Sequence, residues 1–132
     1  MASKGRPYRT FEFQGFSILV GRGDAENDEL SFRVAKQRDI WLHVGGGTPG
    51  SHVVIQRPES GEEPPRDVLE YAAKLAAWFS KARNAKRVEV HYCPASHVKK
   101  PRGAPRGLVQ LSSFKSIRVA PELPESESPE LD

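Results

Sequence analysis

One seventeen-residue stretch limits what this chain can fold into. From Asp67 to Arg83, Val68, Ala72, Leu75, Phe79 and Ala82 recur at helical spacing, forming a continuous apolar stripe. Ala73, Ala76, Ala77, Leu69 and Trp78 widen the stripe beyond one face. Alanine side chains let another layer approach closely, so the spacing predicts one helix lying well buried across a sheet. Asp67 near its start and Lys81 and Arg83 near its end suit the helix dipole, and Pro64-Pro65 halt the preceding chain.

The segments around this helix read as strands. Tyr8–Gln14 alternates aromatic or β-branched residues with polar ones, and Gly15 separates it from Phe16–Val20, which predicts a hairpin. Further strands are expected at Asp39–Val44, Ser51–Gln56, Arg87–Tyr92, Leu108–Leu111 and Ser116–Val119. A short helix is expected near residues 26–35, capped by Asp24 or Asn27, with Leu30, Val34 and Phe32 inward. Strands, one long helix, then strands imply an α+β fold with a mostly antiparallel sheet. The expected organisation is a flexible arm at 1–7, a folded body at 8–119 and a disordered acidic tail at 120–132.

Composition bounds function. The 132 residues are one domain's worth of chain. No apolar run approaches a membrane span, and the polar start Met1–Arg6 lacks the apolar core of a secretory signal. The lone Cys93 makes no internal disulfide or cysteine-based zinc cluster, so a reducing cytoplasm is the expected home. The net charge of +3 hides a division. The last thirteen residues hold five of the seventeen acids and none of the twenty bases. Residues 1–119 therefore carry twenty positive charges against twelve negative, a net +8. Such a body suits a polyanionic partner, and the tail suits shielding of the basic surface in cis.

Two stretches concentrate this chemistry. Between Lys81 and Arg106 stand eight bases and one acid, Glu89. Lys99, Lys100, Arg102 and Arg106 lie in a turn-rich loop where prolines keep long side chains in water, and Lys81 lies at the expected helix end. Such residues contact phosphates without reading sequence, in a salt-sensitive way. The second stretch is the glycine loop Gly45-Gly46-Gly47-Thr48-Pro49-Gly50, flanked by His43 on one side and Ser51 and His52 on the other. Backbone N–H groups in such a loop can approach an anion unobstructed. It is neither a Walker loop nor a dinucleotide fingerprint. Trp41, Trp78, Phe79 and Tyr92 sit in apolar patterns that predict core packing, whereas Tyr8 and Phe114 remain open between packing and base stacking. The four histidines lack metal-ligand spacing, and no cofactor is expected. Three other classes stay open: a metal- or phosphate-dependent enzyme using Asp39, His43 and His52, a DNA-binding module, and a protein-interaction adaptor.

Five separated motifs, in order, resemble the NFACT-R domain. They are Asp39-Ile-Trp-Leu-His43, Pro49-Gly-Ser-His52-Val-Val-Ile55, Ala77-Trp-Phe-Ser-Lys81, His97-Val-Lys-Lys-Pro101 and the following Gly103 and Gly107. Gly21-Arg22 and Asn27-Asp28 fit the family's opening segment, and the resemblance covers Phe16 to Val119. It implies a non-enzymatic RNA-binding module for ribosomal RNA or tRNA, on or near the large ribosomal subunit, in ribosome-associated quality control. It brings Arg22 and Asn27 into the candidate RNA-binding set. Long members also carry an N-terminal domain, helix-hairpin-helix and coiled-coil segments. A lone unit of this kind is expected to bind rather than to extend nascent chains, with a separate protein supplying those segments.

Overall fold

A computed structural model describes residues 8–124. Strands β1 (Tyr8–Phe13) and β2 (Phe16–Gly21) form the expected hairpin. They are followed by α1 (Asp24–Glu29), β3 (Ile40–Val44), β4 (Val53–Gln56), α2 (Arg66–Trp78) and β5 (Val88–Pro94). The short strands β6 (Val98–Lys99) and β7 (Gln110–Leu111) and the edge strand β8 (Lys115–Val119) complete the order. Six strands make one antiparallel sheet in the order β1-β2-β4-β3-β5-β8, and β6 pairs with β7 separately. The fold is α+β: a six-stranded antiparallel sheet with helices of 11 and 13 residues. No helix among the described residues is long and apolar enough to cross a membrane.

Side chains on a strand alternate between faces, and here the alternation builds two different layers. Ile18, Val20, Leu42, Val44, Val53, Ile55 and Val90 pack with Val68, Leu75 and the four alanines 72, 73, 76 and 77 of α2. Leu19, Trp41, Val54 and Cys93 point the other way and pack with Leu30 and Val98. The first layer is the main core. The second is smaller and shares its face with His43, His52 and His91.

Several local readings change. Helix α2 ends at Trp78, not Arg83, although the apolar stripe continues through Phe79 and Ala82. After Trp78 the chain turns to meet the glycine loop. Ser51 N–H donates to the Phe79 carbonyl (2.9 Å), and Lys81 N–H donates to the Pro49 carbonyl (2.9 Å). These bonds replace the ones a longer helix would make. Arg83 closes the helix end, its Nε–H donating to the Trp78 carbonyl at 2.8 Å. The expected strand at 108–111 reduces to Gln110–Leu111.

Helix α1 begins after Gly23 and continues through one π-turn, Leu30–Val34. Asp24 and Asn27 are therefore inside the helix rather than caps. Leu30 is buried, but Phe32 faces water at 39% exposure. Of the expected arm and tail, residues 1–7 and 125–132 lie outside the described residues. Ala120–Pro124 has no regular structure, and Glu122 pairs with Lys74 of α2 at 3.4 Å.

Candidate nucleic-acid interface

The glycine loop and the basic loop, some fifty residues apart in sequence, form opposite walls of one cleft. Its volume is about 500 Å³, within the range of ligand pockets. Gly45–Gly50 lines one side and Pro105–Val109 the other, with Trp41, His43, His52 and His91 between them and Asp24 alongside. A second depression, of about 350 Å³, is lined by Asn27, Ser51, Lys81 and Arg83. Asp24, Pro49 and Gly50 line both, so the two run together.

The basic loop is held by a directed chain of hydrogen bonds starting in the core. The Trp41 indole N–H donates to Ser31 Oγ at 2.9 Å. His52 Nε2 lies 3.2 Å from the Gly107 carbonyl, which can only accept, so Nε2 carries the proton. His52 Nδ1 is then the acceptor, and the Ser31 hydroxyl donates to it at 2.7 Å. Every polar atom along this path is satisfied in one sense only. Burial pushes the His52 imidazole down to about 4, and neighbouring His43 adds to the shift. His52 is therefore neutral, 1% exposed, and a holder of the loop rather than an open anion contact.

Asp28 grips the same glycine from the other side. Its Oδ1 accepts the Gly107 N–H at 3.1 Å, and its Oδ2 pairs with Lys100 Nζ at 3.0 Å. Lys100 also donates to the Leu108 carbonyl at 3.1 Å and to the Pro105 carbonyl. Lys100 is thus turned inward to organise the loop. Gly107 itself has φ +84°, and a Cβ there would stand 3.0 Å from Asp24 Oδ1. The position needs both the backbone freedom and the space of glycine.

The opposite wall is built just as closely. Asn27 is buried, and its Oδ1 accepts the His52 backbone N–H at 3.0 Å. His43 Nε2–H donates to the Gly50 carbonyl at 3.2 Å, and burial lowers its imidazole below the usual histidine value. Ser80 packs so tightly on Gly50 that a Cβ on the glycine would lie 2.7 Å from the serine Cβ.

The structure sorts the sequence candidates into groups. His43 and Arg106 line the main cleft, and Ser51, Asn27 and Lys81 the adjoining depression. Lys99 on β6, Arg102 at the loop tip and Arg22 beyond β2 are exposed outside both. Asn27, His52 and Lys100 are consumed by internal bonds. Asp28, Ser31 and Gly107, which sequence reasoning did not single out as site residues, are the parts that fix the geometry.

The residues named for the enzyme alternative are engaged in internal hydrogen bonds. The buried Asp39 carboxylate accepts the Lys36 and Arg57 backbone N–H groups, both at 2.9 Å. His43 and His52 are bonded as above. Among the described residues no group of three or more His, Cys, Asp or Glu is placed to hold a metal. Burial also raises the Cys93 thiol to about 11, the opposite of an activated nucleophile.

Fold and cleft together define a basic α+β domain that presents two clamped loops on one sheet face. The profile of the NFACT protein RNA binding domain matches residues 6–113, and the chain belongs to that family. It is 44% identical over 108 residues to the Rqc2 homolog RqcH of Bacillus subtilis, covering 82% of this chain and 18% of that protein. The Rqc2 homolog RqcH of Streptococcus suis is 42% identical over 104 residues, covering 79% and 18%. The ribosome quality control complex subunit 2 of Saccharomyces cerevisiae is 24% identical over 106 residues, covering 77% and 10%. Among solved structures, the C-terminal part of the fibronectin/fibrinogen-binding protein from Streptococcus suis superposes with a TM-score of 0.80 at 40% identity. That match covers 88% of this chain and 45% of the other. The chain spans about a fifth of the length of the bacterial relatives it matches.

Proposed function

We propose that this chain is a cytoplasmic, non-enzymatic module that binds structured RNA, ribosomal RNA or tRNA, on or near the large ribosomal subunit. Its setting is ribosome-associated quality control. The observation that carries this reading is the clamped loop. Gly107 is gripped by His52 and Asp28, which leaves Arg106 exposed on a fixed backbone across from the glycine loop and Arg102 exposed at the loop tip. Preorganised cations lose less freedom on binding a phosphate than cations on a mobile loop. Lys81 and Ser51 extend the same surface past Pro49 and Gly50. In this reading Lys99, Arg102, Arg106, Lys81 and Arg22 meet phosphates, and His43 and Ser51 form a polar anchoring point. Asn27, His52 and Lys100 act by holding the walls.

The test is binding of the full chain to purified large ribosomal subunits and to tRNA over a range of salt. The expected result is affinity that falls steeply with salt. Arg102→Ala with Arg106→Ala should reduce the slope of log K against log salt by about 1.4–1.8. Salt-independent binding, or a double variant indistinguishable from wild type, refutes the reading. Equal affinity and equal slope on DNA would move it toward a general nucleic-acid binder.

A further inference from the structure

A second site stands beside the first. Phe114 is 48% exposed, an unusual setting for a phenylalanine that follows a strand rather than a chain end. Its ring stacks on His91 with centroids 4.1 Å apart and planes 28° from parallel. His91 is fixed in turn: its Nε2 lies 3.0 Å from Glu89 Oε2, and Gly45 packs against its ring. Glu89 also accepts the Ser116 hydroxyl at 3.0 Å. Phe114 is therefore an aromatic plate propped from behind and left half in water.

The two stacked rings stand between two cavities. His91 lines the cleft of the glycine and basic loops, and Phe114 lines a separate cavity of about 520 Å³. Tyr92 and Pro94 give that cavity apolar walls, Arg57 and Lys115 bring positive charge, and Glu63 is its acid. Arg57 donates to the Glu62 and Gly61 carbonyls, which holds its guanidinium in place. Lys115 is exposed on the edge strand. An exposed aromatic face with cations beside it is the combination that binds unpaired bases: the ring stacks on the base and the cations meet the neighbouring phosphates.

We propose that Phe114 is a base-stacking platform and that the cavity beside it takes an unpaired nucleotide of the bound RNA. The inference rests on the RNA-binding reading above and adds a ligand class to it. The RNA must present a single-stranded loop, bulge or end, because a base stacked in a duplex cannot reach the plate. Positive charge favours this occupant over a protein segment, since the cavity offers two fixed or exposed cations to one acid.

The test compares a short single-stranded oligouridine with a blunt RNA duplex, on the full chain and on Phe114→Ala and Phe114→Tyr. Phe114→Ala should weaken binding of the single strand about 5- to 150-fold. It should leave duplex affinity and the salt slope unchanged, because no charge is removed. Phe114→Tyr should restore the single-strand affinity. At saturating protein, a strand carrying 2-aminopurine should also lose fluorescence on binding wild type and not on binding Phe114→Ala, while unchanged duplex affinity shows that the variant is folded. Single-strand binding by Phe114→Ala equal to wild type overturns the proposal while leaving the RNA reading intact. Wild type that binds no RNA of either kind overturns the RNA reading itself. Wild type that binds the single strand with no fluorescence change also overturns the stacking proposal.

Discussion

His52 and Gly107 lie 55 residues apart, and the buried imidazole Nε2–H donates to the glycine carbonyl at 3.2 Å. This bond ties the sheet's interior to the loop that carries the basic residues. Its direction is fixed by the Ser31 hydroxyl on the other ring nitrogen, which is itself fixed by the Trp41 indole. Removing the Ser31 hydroxyl leaves both its buried neighbours without a partner.

Ser31→Ala deletes the middle of that chain. The Trp41 N–H and His52 Nδ1 both lose their partner in a buried site. The expected cost is about 2–4 kcal/mol, from one unsatisfied donor and one unsatisfied acceptor, read as a lower urea midpoint. Ser31→Thr retains the hydroxyl and should recover part of the loss.

The His52 imidazole gives stability a pH dependence of definite sign. Its folded value of about 4 lies below its ordinary 6.5, so the unfolded chain binds the proton more readily between them. Stability is fully present above pH 6.5 and falls as pH drops toward 4, by up to about 3 kcal/mol. His43, lowered in the same direction by burial, adds to the fall. Glu89, held below its ordinary 4.5 by its bonds to His91 and Ser116, contributes only at lower pH. Urea unfolding across this range should show the slope, and His52→Gln should flatten it.

Asp28 and Lys100 form an ion pair whose side chains are only 23% and 29% exposed, so screening by water is incomplete. A double-mutant cycle of Asp28→Ala and Lys100→Ala should give a coupling of about 1 kcal/mol. Either single variant should speed amide exchange between Lys100 and Leu108. Lys100→Ala should weaken RNA binding by loosening the loop, so Arg106→Ala should cost less in its background than in wild type.

Gly50→Ala places a Cβ 2.7 Å from the Ser80 Cβ and 3.1 Å from its Cα. The bridge between the glycine loop and the chain after α2 must open, at a cost of about 1–3 kcal/mol. Adding Ser80→Gly to Gly50→Ala should recover part of the loss by removing the nearer of the two clashes. A thermal shift series over the four combinations measures this.

Local pattern was legible, and tertiary capture was not. Alternation in Phe16–Val20 and Asp39–Val44 marked the central strands because it is a property of each segment alone. The stripe from Val68 to Phe79 marked α2, but its continuation to Ala82 overstated the length. Ser51 and Pro49 take over the bonding past Trp78 from the glycine-loop side, Ser51 donating to Phe79 and Pro49 accepting from Lys81. The basic and glycine loops each stood out by composition. That they face each other depends on α1 and β4, whose Asp28 and neighbouring His52 reach the same glycine. Lys100 and Arg106 have the same kind of sequence surroundings, yet one is turned inward and the other is exposed. Pairing of a lysine with a distant aspartate leaves no mark in the sequence around it. The family motifs marked several of the right residues without distinguishing contact from support.

The alternation of the sheet has a consequence for how this domain can change over time. Along β3 and β5, Leu42, Val44 and Val90 serve the helix, while Trp41, His43 and His91 serve the cleft. A change in RNA target can therefore be drawn from every second residue of these strands without touching the layer that keeps α2 in place. Saturation mutagenesis should separate along each strand with a period of two, binding defects on one phase and folding defects on the other. His52 and Trp41 break that rule, because the cleft's own scaffold hangs from them. They mark the limit of how far the binding face can drift.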